Sequence, residues 1–176
     1  SITIDKFTGR FIEPPIENAP EWTKLAFEQC PNCPLNTADN EYCPTAIGLN
    51  NIAGRFGNVL SHSECELVVI FDERWVGKKT TSQEAISSLM GLQIATSGCP
   101  HTDYLKPMAR YHLPLATADE TLIRTTGSYF LRQYYESKIS ASFDFELSGL
   151  ADLYSEMQIV NASIAKRLRA SGEFSE

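Results

Sequence analysis

The chain has 176 residues, of which 43% are hydrophobic, 21% charged and 10% aromatic. This composition excludes a disordered chain and allows one domain with a sizeable core. A net charge of −7 and a pI near 5.0 exclude nucleic acid and anionic membrane as default partners.

The opening residues, Ser1-Ile2-Thr3-Ile4-Asp5-Lys6-Phe7, alternate like a strand and lack the basic and long apolar regions of a signal peptide. No apolar run approaches the ~20 residues that a membrane helix needs, so a cytoplasmic chain is expected. Thr8-Gly9-Arg10 makes a turn before Phe11-Ile12, which predicts a hairpin. Pro14-Pro15 and Pro20 mark a loop. Leu25 and Phe27 alternate into Cys30 and predict a strand that delivers a metal knuckle; the alternative is one helical turn starting at Pro20. From Thr45 to about Leu60 the spacing of Ile47, Ile52, Phe56, Val59 and Leu60 predicts a loose helix. Cys65 to Phe71 is the clearest strand, and Asp72-Glu73-Arg74 turns it into a second strand around Trp75-Val76. Together these pieces predict a small, mainly antiparallel sheet of four or five strands over residues 1–80.

The second half, 81–170, is expected to be helical. Thr81 with Glu84 forms a capping box ahead of Ala85, Ile86, Leu89 and Met90, and Gly98 stops that helix just before Cys99. A second capping box, Thr117 with Glu120, opens a helix through Tyr134. A third helix spans about 146–169, where Leu147, Leu150, Tyr154, Met157, Asn161, Ile164 and Leu168 repeat at intervals of 3, 4, 3, 4, 3 and 4. Such a seam packs inside the chain's own bundle or pairs two copies as a homodimer, with Asn161 setting register in the second case. Lys166, Arg167 and Arg169 near its end complement the helix dipole. Strands followed by helices predict a single α+β domain over 1–176, its N-terminal sheet packed against a C-terminal helical bundle.

The five cysteines sort by the residue that follows. Cys30, Cys33, Cys43 and Cys99 each precede proline, whereas Cys65 leads into a strand and reads as a small core side chain. An odd total without a signal peptide is a poor basis for a disulfide framework. The C-x2-C turn Cys30-Pro31-Asn32-Cys33 can present two sulfurs to one ion, with Cys43 and Cys99 completing a four-thiolate site. Structural zinc suits four soft ligands in tetrahedral geometry; an iron–sulfur cluster uses the same ligands, and four free thiols or a disulfide are the remaining alternatives. Four thiolates and one divalent zinc sum to a charge of −2, so a nearby cation is expected.

Between Cys99 and His112 the chain also carries His101, Asp103 and Arg110. These residues either surround the thiolate site and offset its charge, or form a Cys99-centred catalytic group with His101 or His112 as base. Expected neighbours or substitute ligands are His101, Arg110, His112 and His62. Nucleotide-binding, zinc-protease and serine-hydrolase signatures do not occur.

Cys30-Pro31-Asn32-Cys33-Pro34-Leu35, Tyr42-Cys43-Pro44, Ser97-Gly98-Cys99-Pro100-His101 and Ala109-Arg110-Tyr111-His112-Leu113-Pro114 resemble an uncharacterised bacterial family classed as a domain of unknown function. The resemblance runs from about Trp22 to Arg169 and implies a bacterial source, no assigned activity and no catalytic residues to transfer. The expected function is therefore a non-enzymatic, zinc-stapled protein-interaction or regulatory module, partnered by another protein or a second copy. An iron–sulfur redox protein or a Cys99-centred enzyme is the alternative.

Overall fold

The computed structural model of the chain describes residues 3–5, 7–12, 18–56, 62–70, 74–111, 115–140 and 142–172. Pro44 suits a first helical position, having a fixed φ and no N–H to satisfy, and opens helix α1, Pro44–Phe56. Strands β1, Glu64–Ile70, and β2, Trp75–Thr81, pair antiparallel, with Cys65 opposite Thr80 and Leu67 opposite Lys78. The Thr81 hydroxyl accepts the Glu84 N–H at 3.3 Å and starts α2, Ser82–Thr96. A 3-10 helix, Pro100–Leu105, runs directly into the short α3, Lys106–Tyr111.

Helix α4, Ala118–Ser140, begins with a reciprocal cap. The Glu120 N–H donates to the Thr117 hydroxyl at 3.2 Å, and the Thr117 N–H donates to the Glu120 carboxylate at 2.8 Å. Helix α5, Ser148–Ser171, takes its cap from outside itself. Asp144 accepts the Ser148 and Gly149 N–H groups at 3.3 and 2.9 Å and the Tyr129 hydroxyl of α4 at 2.9 Å. Those N–H groups, that of Gly149 above all, hold the Asp144 carboxyl below the usual carboxylate range. Gly172, at φ 72°, ends α5 in the left-handed conformation that glycine adopts without steric cost.

The class is α+β, with five helices and one two-stranded sheet among the described residues. The expected sheet of four or five strands is too large. At the N-terminus the hairpin reduces to one bridge, Ile4 to Phe11, because Asp5 gathers the Phe7 and Thr8 N–H groups into a side-chain turn. Phe11 sends its own N–H to the Thr96 carbonyl. The strand expected from Leu25 to Cys30 is also absent. A 3-10 turn, Glu21–Thr23, buries Trp22, Leu25 follows into the core, and only Lys24 bridges to Tyr42. The Trp22 and Lys24 carbonyls accept from the Arg167 guanidinium, so these acceptors meet a side chain rather than a second strand. Part of the β1–β2 turn, residues 71–73, lies outside the described residues.

The core therefore lies between α1, α5 and the Trp22–Leu25 turn. Ala46, Leu49, Ile52 and Ala53 of α1 meet Met157, Val160, Ile164 and Leu168 of α5. Leu150, Met157, Ile164 and Leu168 of the heptad row are thus buried in the chain's own core, while Asn161 is exposed. Cys65 is half-buried on the hairpin and does not join this cluster, contrary to its reading as a core side chain. No helix among the described residues is long and apolar enough to cross a membrane.

Helix α2 closes on α1 at Gly48. A Cβ there would stand 2.4 Å from the Gln93 amide nitrogen, and Gln93 is only 1% exposed. Gly48→Ala should therefore lower stability by about 1–3 kcal/mol through overpacking. Denaturant unfolding tests this, and an unchanged midpoint would show that Gln93 can move aside.

Candidate metal centre

The four cysteines lie on three turns, the Cys30–Cys33 knuckle, the start of α1 at Cys43 and the turn at Cys99, and one face of α5 lies near the knuckle. The Cys33 N–H donates to the Cys30 carbonyl at 3.0 Å, closing the tight knuckle expected of Cys-Pro-Asn-Cys. Cys43 is buried immediately before α1, its N–H donated to the Thr23 carbonyl at 2.9 Å. Cys99 precedes the 3-10 helix Pro100–Leu105, and each of these two thiols therefore sits where a proline starts a helix.

Contacts across the chain fix these turns against one another. A Cβ on Gly98 would lie 3.3 Å from the Pro44 Cβ, which sets the Cys99 turn beside the Cys43 turn. The Thr45 and Ser97 hydroxyls lie 3.1 Å apart between them. The His101 Nε2 lies 2.8 Å from the Asn32 carbonyl oxygen, joining the Cys99 turn to the knuckle. Asn32 in turn donates through its amide to the Glu156 carboxylate at 2.6 Å and the Glu156 carbonyl at 3.2 Å.

Helix α5 presents Glu156, Val160, Ser163 and Arg167 to this region at intervals of 4, 3 and 4, one stripe of an α-helix. Glu156 holds Asn32, Val160 packs in the core, and the Ser163 hydroxyl donates to the Ile159 carbonyl at 2.9 Å. Arg167, 1% exposed, donates to the carbonyls of Trp22 at 2.7 Å, Lys24 at 2.6 Å and Leu25 at 3.5 Å. Its guanidinium carbon lies 5.8 Å from the centroid of the Phe27 ring. Among the described residues no carboxylate stands within ion-pair distance of it.

The thiols share one electrostatic environment. Burial raises the Cys30 thiol above its ordinary value; Cys43 and Cys33 push it further, while the Ser163 hydroxyl and the Arg167 charge oppose the rise. Burial also raises Cys99, with Cys43 and Cys30 adding to it and the His101 backbone N–H and the Thr45 hydroxyl opposing it. Cys30, Cys33, Cys43 and Cys99 are all free thiols. Among the described residues no three His, Cys, Asp or Glu side chains are drawn together as one metal ion would require. The arrangement collects soft ligands, sulfur-directed donors and a buried cation. Burial raises the Cys99 thiol, and its neighbour His101 engages the Asn32 carbonyl through Nε2.

Of the other expected neighbours, His101 is in place and Arg110 is not shown beside the thiols. Arg110 ends α3 with its guanidinium carbon 5.5 Å from the Tyr111 ring centroid. His62 is exposed in the turn before β1, and His112 lies outside the described residues. The cation that Cys30 feels is Arg167, which reads from sequence as a helix-dipole residue. Its position three residues after Ile164 places it on the apolar stripe of α5, the one local sign that it turns inward.

A family model described as a domain of unknown function (DUF6901) matches residues 1–174. The chain belongs to that family. No curated protein and no solved structure matches it.

In metal-free protein Cys30 and Cys99 hold their protons more tightly folded than unfolded. Their contribution to stability is therefore present below the ordinary thiol value of 9.0 and is lost as pH rises through the raised folded values. Melting temperatures of the metal-free chain should fall as pH is taken above about 9.0, and a Cys30→Ser/Cys99→Ser variant should fall less steeply. Equal slopes for the two proteins would contradict this assignment.

Proposed function

We propose that this member of the family is a non-enzymatic, metal-stapled module, with Cys30, Cys33, Cys43 and Cys99 as ligands and zinc as the occupant. It acts by contact with another protein or with a second copy of itself. The observation that carries this reading is Arg167, a buried cation near the Cys30 thiol, faced by three carbonyls and by no described carboxylate. A buried charge without a counter-charge is costly, and a zinc centre with four thiolates supplies the negative charge beside it. Bound zinc would tie the knuckle, the start of α1 and the Cys99 turn into one unit, and its binding free energy would add to folding.

An iron–sulfur cluster is the second reading, since it takes the same four thiolate ligands. A cluster several atoms across spans a wider set of thiols, and the hydroxyl and N–H donors around Cys30 and Cys99 would tune it.

Metal and acid-labile sulfide should be measured on protein purified anaerobically without a metal-affinity step. About one zinc per chain and no visible absorbance supports the first reading, as four ligands close one site. Iron with sulfide and a brown colour supports the second, and a folded chain with neither metal contradicts both. Cys33→Ser should lose the metal and melt at lower temperature, whereas Cys65→Ser should retain it. Arg167→Met should destabilise the metal-loaded protein more than the metal-free protein; the reverse order would remove Arg167 as the counter-charge.

A further inference from the structure

Helix α4 carries an apolar row that this chain leaves uncovered. It buries Thr125 and Tyr129 inward, while Ile123, Leu131, Tyr134, Tyr135 and Ile139 are exposed. Along the outward face Glu120, Ile123, Gly127, Leu131, Tyr134 and Lys138 follow at intervals of 3, 4, 4, 3 and 4, the spacing of a helix-pairing seam. The row has an acid at its start, a base at its end and glycine near its middle.

Gly127 is the informative member. A Cβ there would meet nothing within 4 Å, so no described residue calls for glycine in the exposed interior of a 23-residue helix. Glycine is unfavourable at such a position unless another backbone or a bulky side chain must come close. A hollow of about 260 Å³ lies beside it, between α3 and α4, lined in part by Met108, Tyr111 and Leu131.

From these features we infer that α4 pairs antiparallel with α4 of a second copy, about a two-fold axis level with Tyr129. In that register Leu131 of each copy sits against Gly127 of the other, and Ile123 faces Tyr135. Glu120 faces Lys138, whose ammonium already lies 4.4 Å from the centroid of its own Tyr134 ring, along the row. The positive helix start also meets the negative helix end. Two pairs within the row, Glu120 with Lys138 and Gly127 with Leu131, match only when the helices run in opposite directions, which is what a closed two-fold dimer requires of its surface. Met157, Ile164 and Leu168 of the α5 heptad row are taken up by the chain's own core, whereas the outward row of α4 is exposed along its length. This inference takes up the self-association in the proposed function and does not depend on the metal, since mass and metal content are read separately.

Sedimentation of the full chain across micromolar concentrations tests it. A reversible monomer–dimer equilibrium is expected, and Leu131→Glu should abolish it with the fold retained by circular dichroism. Glu120→Lys or Lys138→Glu alone should weaken dimerisation about tenfold or more, because like charges then face one another. The double reversal should restore it, although the Thr117 cap is lost in the single Glu120→Lys variant and in the double alike. Gly127→Ala should raise the melting temperature of the dilute monomer and weaken the dimer. A wild-type chain that stays monomeric throughout overturns the inference, as does a dimer indifferent to the single reversals or not rescued by the double one.

Discussion

Arg167 is a cation withdrawn from water, and a cation so placed needs both hydrogen-bond acceptors and a counter-charge. The acceptors are backbone carbonyls of the Trp22–Leu25 segment, which is why that segment runs as a turn held by a side chain and not as a strand held by a ladder. The rest of the N-terminal architecture follows from this. Once the turn is pinned to α5, the knuckle at Cys30–Cys33 falls beside Ser163, and Cys43 returns through its hydrogen bond to Thr23. The same guanidinium that shapes the loop also biases the thiol nearest to it. Shape and charge are one constraint at this place in the molecule.

Features set by near neighbours in sequence are legible without coordinates. The Thr117–Glu120 capping box closes in both directions, and at Thr81–Glu84 the hydroxyl half forms while the Glu84 carboxylate accepts the Thr80 hydroxyl, because these partners are near in sequence. The β1–β2 hairpin and α5 are legible for a similar reason, as alternation and heptad spacing report a face directly. The grouping of Cys-Pro cysteines is also visible, since proline after cysteine marks the turn that exposes a sulfur. Residues whose surroundings come from far along the chain are not. The alternation of Leu25 and Phe27 resembles a strand, but the carbonyls of Lys24 and Leu25 are taken by a side chain more than a hundred residues later. Arg110 and Arg167 are equally basic in sequence, and beyond the placing of Arg167 on the apolar stripe of α5 it is packing that tells the exposed one from the buried one.

Both extended helices show how much a periodic row leaves open. The α5 row points into the core, while the α4 row, less apolar and broken by a glycine, points outward. Periodicity states that a face exists; the choice between an internal and an external partner depends on what the remainder of the chain has already covered. Here α1 and the Trp22 turn occupy the first face, and the short α3 covers too little of the second.

Asp144 divides its carboxylate between the first turn of α5 and the Tyr129 hydroxyl of α4, outside the main hydrophobic core. Phe143 beside it stacks on Phe130 with ring centroids 5.7 Å apart, which braces the same corner. In mechanical terms α4 is an arm on a fulcrum, and the fulcrum is a polar joint with its own small aromatic pad. Nearer its start the same helix is tied again, Thr125 reaching the Met108 sulfur at 3.2 Å and the Tyr154 hydroxyl at 3.0 Å. Loss of the Asp144 joint would therefore leave α4 held at its first half and free at its second.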